Sequence, residues 1–229
     1  MRAVRAISFD LDDTLWEIGP VIERAERRVY EEIRNRFPRV AGRYDVDGIK
    51  RTRQQVLEKH PEIAHDLTEI RRVTFNWMLA ECGYDPDDSH VLLETFLQFR
   101  HEVEFFSDVM PALRRLSERY PLLTMTNGNA DVERLGITQF FAGHISARTA
   151  GFLKPDPRIF ELACQMLGED PGTVLHVGDH PVDDVLGALD AGFQAAWINR
   201  RAAAWTHERE PHAEVQNLIE LVDLLDAEN

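Results

Sequence analysis

The chain of 229 residues carries 26 Lys+Arg against 40 Asp+Glu, a formal net charge of −14 with histidine neutral, and is 44% hydrophobic. That length fits one large domain, or a core with a smaller one inserted, and the composition is that of an ordinary soluble globule; disorder, collagen-like repeats and a disulfide scaffold are excluded. The acidic balance offers no basic stripe to neutralise phosphates, so no nucleic acid is expected as a partner.

The two cysteines, Cys82 and Cys164, stand far apart in neither a CxxC nor a metal-like spacing and read as unpaired thiols of a reducing compartment. The first apolar stretch is too short for a secretory leader and runs at once into Asp10, Asp12 and Asp13. No uncharged run approaches the ~20 residues that a membrane span needs. The expectation is a soluble, cytoplasmic protein with no membrane contact.

In chain order, Ala3 to Phe9 reads as a buried strand that ends at the aspartate cluster. Residues 16–103 then read as helical throughout. Val21, Ile22, Ala25, Val29 and Ile33 recur at helical steps until Phe37-Pro38, and Val46 to Leu57 forms a weaker helix broken at His60-Pro61. Ile63, Leu67, Ile70, Val73, Trp77 and Met78 make a stripe over Pro61 to Cys82, and a further helix follows Pro86 through Phe99. Beyond Glu104 the pattern changes. Helices are expected at Pro111 to Tyr120, Ala130 to Leu135, Pro157 to Leu167 and Asp183 to Ala191, and strands at Leu122 to Thr126, His144 to Ala147, Val174 to Val177 and, last, Gln194 to Ile198. The acidic stretch from Glu208 reads as solvated surface, with Leu218 to Leu225 a closing helix. Strands alternating with helices imply right-handed crossovers and a parallel sheet, so the expected fold is α/β: a core of residues 1–15 and 104–229 interrupted by an all-helical insertion, 16–103. An insertion directly after the first strand would stand over that strand's carboxyl end, where ligands bind in open parallel sheets.

Four polar clusters follow expected strands: Asp10 to Thr14, Thr126-Asn127-Gly128-Asn129, Lys154-Pro155, and Gly178-Asp179 through Asp183-Asp184. A parallel sheet brings its carboxyl ends to one edge, so the clusters converge despite their separation in sequence. Asp10, Asp12, Asp179, Asp183 and Asp184 would then repel one another, and a hard divalent cation held by oxygens, Mg²⁺, relieves that repulsion. Lys154, the Thr126 hydroxyl and backbone N–H groups at Asn127 and Gly128 are the donors that a phosphoryl group requires. An aspartate at the metal can attack phosphorus, and Asp12, two residues on, can protonate the leaving alcohol and then deprotonate water.

These motifs, in this order, resemble those of the haloacid dehalogenase-like hydrolases: Asp10-x-Asp12-x-Thr14, Thr126, Lys154 and Gly178-Asp179-x-x-x-Asp183-Asp184. The resemblance covers the whole chain and implies a Rossmann-like three-layer core with a helical cap. It implies Asp10 as nucleophile and metal ligand, and Asp12 as general acid/base that binds metal through its carbonyl. Asp179 is the further metal ligand, Thr126 and Lys154 hold the phosphoryl group, and Asp183 or Asp184 orients Lys154 or a metal-bound water. Dehalogenase members lack the second carboxylate and bind no Mg²⁺, so Asp12 implies a phosphatase; phosphomutases share the pair.

Within the superfamily the chain resembles the branch acting on flavin mononucleotide and 5-amino-6-(5-phospho-D-ribitylamino)uracil. Phe9 to Leu15, Gly19-Pro20-Val21-Ile22, Pro61-Glu62-Ile63-Ala64-His65-Asp66, Thr126 to Asn129 and Leu175 to Asp179 carry that resemblance. The implied partner is a small phosphate ester, with a nucleotide, sugar phosphate or phosphoglycolate as the alternative. A non-catalytic phospho-switch also gathers acids, a hydroxyl and a lysine around Mg²⁺, but such a domain is about half this length and lacks an acid at the position of Asp12.

Other polar and aromatic residues have plainer readings. Asp13 is expected to be structural, Thr14 to steady its loop, and His176 to be a satisfied core histidine. His180 is expected in a turn, Trp77, Phe96 and Phe99 in a core, and Arg71-Arg72 and Arg200-Arg201 at the surface.

Overall fold

The structure, a computed structural model, describes residues 3–227. The chain divides into two compact units, Ile18–Val103 and the remainder on either side of it.

The inserted unit is helical, built from α1 (Ile18–Arg36), α2 (Pro38–Ala41), α3 (Val46–Lys59), α4 (Leu67–Glu81) and α5 (Ser89–Arg100). Ala25, Val29 and Ile33 of α1, Ile49 of α3, Phe75, Met78 and Leu79 of α4, and Leu92 and Phe96 of α5 close on one apolar core. The stripe expected as one helix over 61–82 is divided. Pro61–Ile63 makes a separate 3-10 turn, and α4 starts only where the Asp66 carboxylate accepts the N–H groups of Thr68 and Glu69. Arg71, expected at the surface, is buried, its guanidinium 3.9 Å from the Phe96 ring. Trp77 is half-buried under the Lys59 ammonium, 4.0 Å from the ring.

The other unit holds six strands, β1 (Ala6–Phe9), β2 (Leu122–Thr126), β3 (Gly143–Ser146), β4 (Val174–Gly178), β5 (Gln194–Ile198) and β6 (Ala213–Val215). Its helices are α6 (Val109–Ser117), α7 (Ala147–Ala150), α8 (Pro157–Leu167), α9 (Gly187–Asp190) and α10 (Leu218–Ala227). The sheet runs β3-β2-β1-β4-β5-β6 with every pairing parallel. This is the parallel α/β sheet that the alternation of elements implies, in the Rossmann-like form implied by the resemblance. The central strands β1, β2, β4 and β5 are buried along their whole length, which is why they read as apolar runs without alternation.

Three expectations fail here. Residues 130–135 form a turn and not a helix: Leu135 N reaches the Asp131 carbonyl, but Gly136 at φ 69° ends the winding. The stretch 213–215, read as solvated, is β6 in parallel register with β5, too short and too polar to show a strand pattern. The helix expected from Asp183 begins at Pro181 as a wide π-turn, Pro181–Leu186, before α9. Among the described residues, no helix is long and apolar enough to cross a membrane.

Phe160 of α8 is fully buried on the sheet, edge-on to His176 at 5.6 Å and to Phe193 at 5.4 Å. Phe160→Ala should lower unfolding stability by about 3–5 kcal/mol, read as a fall in urea midpoint at unchanged m-value.

Candidate active site

The site begins where β1 ends. Asp10 N donates to the Val177 carbonyl of β4 at 2.9 Å, which seats Asp10 beside Gly178 and Asp179 at the end of the neighbouring strand. The chain then turns through Asp13 at φ 59°, a conformation that Asp tolerates better than most residues. The turn brings Thr14 back, and its hydroxyl lies 3.2 Å from Asp10 Oδ2 and 3.3 Å from Asp179 Oδ1, with its proton shared between them.

Lys154 comes from the loop after α7, and its side chain is 1% exposed. Its ammonium donates to Asp10 Oδ1 at 2.7 Å and to Asp184 Oδ1 at 2.5 Å. The Asn127 side chain fixes the lysine backbone from both sides, accepting from Lys154 N at 2.7 Å and donating to the Lys154 carbonyl at 2.9 Å. The Lys154–Pro155 peptide is cis. Asp184 Oδ2 accepts the His180 N–H at 2.9 Å, and His176 Nε2 lies 3.2 Å from Oδ1. Gly178 is the only residue type that fits beneath it, because an added Cβ would lie 2.3 Å from Asp184 Cγ. Trp197 Nε1 donates to the Asp179 carbonyl at 2.8 Å and so fixes that aspartate's backbone.

Electrostatics follow from this enclosure. Burial, reinforced by Asp184 and Asp179 and only partly offset by Lys154, raises the Asp10 carboxyl well above its usual range. Burial, with Asp184 and Asp13 adding to it, pushes Asp179 up to about 7. For Asp184 burial acts in the same sense, but Lys154 and His176 outweigh it and hold the carboxyl below its usual range. Burial would weaken the Lys154 ammonium, yet Asp10 and Asp184 reverse that and raise its pKa. Burial keeps the His176 pKa low, so the ring is neutral and adds no charge.

One oxygen from each of Asp10, Asp179 and Asp184 lies within 4.8 Å of the others. If all three carboxyls were ionised, the single Lys154 ammonium would leave two negative charges unbalanced. Burial together with that imbalance is why Asp10 and Asp179 resist ionisation, and hard oxygen donors at that spacing suit a divalent cation. The donor set itself therefore suits such an ion.

The residues singled out in the sequence fall into three groups. Asp10, Thr14, Lys154, Asp179 and Asp184 share one cluster. Thr126, Asn127, Gly128 and Asp183 stand beside it: Gly128 N donates to the Thr126 hydroxyl at 2.9 Å, and Asn127 Nδ2 reaches Asp183 Oδ2 at 3.4 Å. Asp12 is half-buried, its backbone bridged to Trp16, and its carboxylate is not one of the three clustered oxygens. Ser8 was missed. It pairs with His176 across β1 and β4, and its hydroxyl lies 2.8 Å from His176 Nδ1, so the core histidine joins Ser8 to Asp184. The signal was there in two polar residues at facing positions of adjacent buried strands. Arg200, expected at the surface, is 14% exposed and ion-paired to Asp108.

The pattern of the haloacid dehalogenase-like hydrolases matches residues 4–192. The chain belongs to that family. It is 32% identical to the 5-amino-6-(5-phospho-D-ribitylamino)uracil phosphatase YigB of Escherichia coli K12, over 97% of this chain and 96% of the relative. It is 27% identical to the (S)-2-haloacid dehalogenase of Pseudomonas sp. strain YL over 99% of this chain and 96% of that one. A solved structure described as a 2-haloacid dehalogenase from Pseudomonas syringae pv. tomato DC3000 superposes with a TM-score of 0.93 at 37% identity, covering 99% of this chain and 100% of the other. The chain is thus a hydrolase of this family, and its phosphatase-named relatives agree with a phosphatase class.

The raised Asp179 carboxyl sets a pH dependence. Its folded pKa of about 7 exceeds the unfolded value of about 3.9, so its contribution to stability is full below about pH 4 and is lost as pH rises through 7. In chelator, the protein should melt at a lower temperature at pH 8 than at pH 5.5, and Asp179→Asn should flatten that difference. A divalent cation should restore most at the higher pH. Thermal melts across pH, with and without cation, check all three.

Proposed function

We propose that this protein is a Mg²⁺-dependent phosphomonoesterase that works through a phospho-aspartyl intermediate on Asp10. Asp10, Asp179 and the Asp12 carbonyl would hold the ion, whose positive charge, when bound, offsets that of the carboxylates and of the phosphoryl oxygens. A carboxylate oxygen of Asp10 attacks phosphorus, the bond from phosphorus to the ester oxygen breaks, and the departing alkoxide takes its proton from Asp12. Asp12, now a carboxylate, removes a proton from water. The water oxygen attacks the same phosphorus, and the phosphorus–Asp10 bond breaks to give inorganic phosphate and free Asp10.

Lys154 keeps Asp10 oriented and offers its charge to the phosphoryl group, while Asp184 keeps Lys154 in place. The Thr126 hydroxyl accepts from Gly128 N, which leaves its own proton to donate to a phosphoryl oxygen. The observation that carries the reading is the second carboxylate, Asp12, two residues after Asp10, whose cluster sets three acids against one ammonium. An alkoxide needs a proton to leave, whereas a halide does not.

The substrate is proposed to be flavin mononucleotide or 5-amino-6-(5-phospho-D-ribitylamino)uracil, supported by the YigB likeness along nearly the whole chain. The setting is the cytoplasm and the partner a small phosphate ester. Another small metabolite phosphate is the alternative within the same chemistry. The dehalogenase-described structure favours a second reading, hydrolysis of a 2-haloacid.

Phosphate and halide release decide among these. The panel is flavin mononucleotide, the ribitylamino-uracil phosphate, nucleoside monophosphates, sugar phosphates, phosphoglycolate and 2-chloropropionate, each with Mg²⁺ or chelator. The expected result is Mg²⁺-dependent phosphate release, highest on a flavin-pathway ester. Asp10→Asn should abolish it, and Asp12→Asn should lower kcat by about 10²–10⁴. Halide release without phosphate release would replace the phosphatase reading.

A further inference from the structure

Arg200 lies just past the end of β5, and its guanidinium joins segments far apart in sequence. Nε and Nη2 donate to the Thr14 carbonyl at 3.1 and 2.9 Å, and Nη1 and Nη2 donate to the two Asp108 oxygens at 3.0 and 2.9 Å. The plane stacks 3.9 Å from the Phe106 ring centroid. Asp108 Oδ2 in turn accepts the Leu218 N–H at the start of α10 at 2.7 Å. Burial would raise the Asp108 carboxyl, but Arg200 and that N–H overcome it and lower the pKa, so the carboxylate stays ionised.

The arginine is itself held in place. Asn199 Oδ1 accepts Ala203 N and its Nδ2 donates to the Ala203 carbonyl, each at 2.8 Å, closing a loop in which Ala202 sits at φ 50°. A non-glycine residue keeps that conformation only where its surroundings impose it.

Thr14 needs such an anchor. It lies in neither a strand nor a helix, just after the left-handed Asp13, yet its hydroxyl must stand between two mutually repelling carboxylates, Asp10 and Asp179. We propose that Arg200 is a positioning residue: by gripping the Thr14 carbonyl it holds the Thr14 hydroxyl between Asp10 and Asp179, and so sets the spacing of the cation-binding oxygens. The inference rests on the reading of Asp10 and Asp179 as cation ligands. It assigns the fork of the guanidinium a task that a lysine cannot perform, since an ammonium lacks the planar array needed to serve one carbonyl and two carboxylate oxygens together.

The test is Arg200→Lys in the full chain. Mg²⁺ binding is measured by titration calorimetry on metal-stripped protein, beside melting temperature in chelator and kcat and KM for p-nitrophenyl phosphate. The Mg²⁺ dissociation constant should rise about 10–100-fold and kcat should fall by a similar factor, with KM unchanged. Arg209→Ala, at an arginine whose side chain is 53% exposed and paired with Asp190, should change neither. Arg200→Lys in a Thr14→Val background should add little, because the two act through one hydroxyl.

A lower melting temperature with wild-type Mg²⁺ affinity and kcat, or fully additive effects with Thr14→Val, would overturn the assignment and leave Arg200 a structural brace. Should Arg200→Lys not fold, Asp108→Asn weakens the same anchor and carries the same expectation. A wild-type protein that binds no Mg²⁺ sinks the phosphatase reading and this inference together; a wild type that binds it, beside an Arg200→Lys that binds equally well, sinks this inference alone.

Discussion

A buried ammonium between two carboxylates is the constraint on which the rest of this site depends. Lys154 Nζ stands 2.7 Å from Asp10 and 2.5 Å from Asp184, inside a region closed to solvent. Moving such charges out of water costs several kcal/mol each, and only close pairing with further hydrogen bonds offsets that cost. Each member therefore needs the others and needs its braces. Asn127 supplies them for the lysine backbone, and the His180 N–H and His176 for Asp184. Even Gly178 belongs to this arrangement, since any side chain there would occupy the space of the Asp184 carboxylate.

Asp179 breaks the balance. It adds a third carboxylate to a cluster with one ammonium, and burial then makes its charged form unfavourable. An internal pairing would have satisfied a purely structural core; this cluster instead gathers more acids at the carboxyl edge of the sheet than its one ammonium can pair, and full ionisation would leave a deficit of positive charge. A deficit of that sign attracts a cation. With donors from Thr126 and Lys154 alongside, the same place can receive an anionic group next to the cation.

The family spans hydrolases that cut different bonds on one backbone, and similarity of fold does not choose among them. What chooses is chemistry at single positions. Asp12 can hand a proton to a leaving alkoxide, and a side chain without an acidic proton cannot. The fold contributes the rigid edge on which that choice is presented, through β1 and β4 in register and a loop pinned at Thr14.

The alternation of strands and helices, and with it the parallel α/β sheet, is legible in the letters alone. Long apolar runs and helical stripes report burial directly, and Asp10 and Asp179 stand out because ionisable residues seldom follow buried strands without a reason. Short or irregular pieces were not legible. β6 is three residues with Glu214 in the middle, and the turn at 130–136 has a helical start that Gly136 cuts short. The sequence also left Asp183 and Asp184 equivalent. In the folded turn after β4, successive side chains point apart, Asp184 to Lys154 and Asp183 toward Asn127. Likewise Arg200 and Arg201 are neighbours of one chemical type, and the packing of four distant segments buried one and left the other in water. Composition and periodicity are local and survive in the string of letters; which of two like neighbours is buried, and against what, depends on contacts between segments remote in the chain, and those exist only once it has folded.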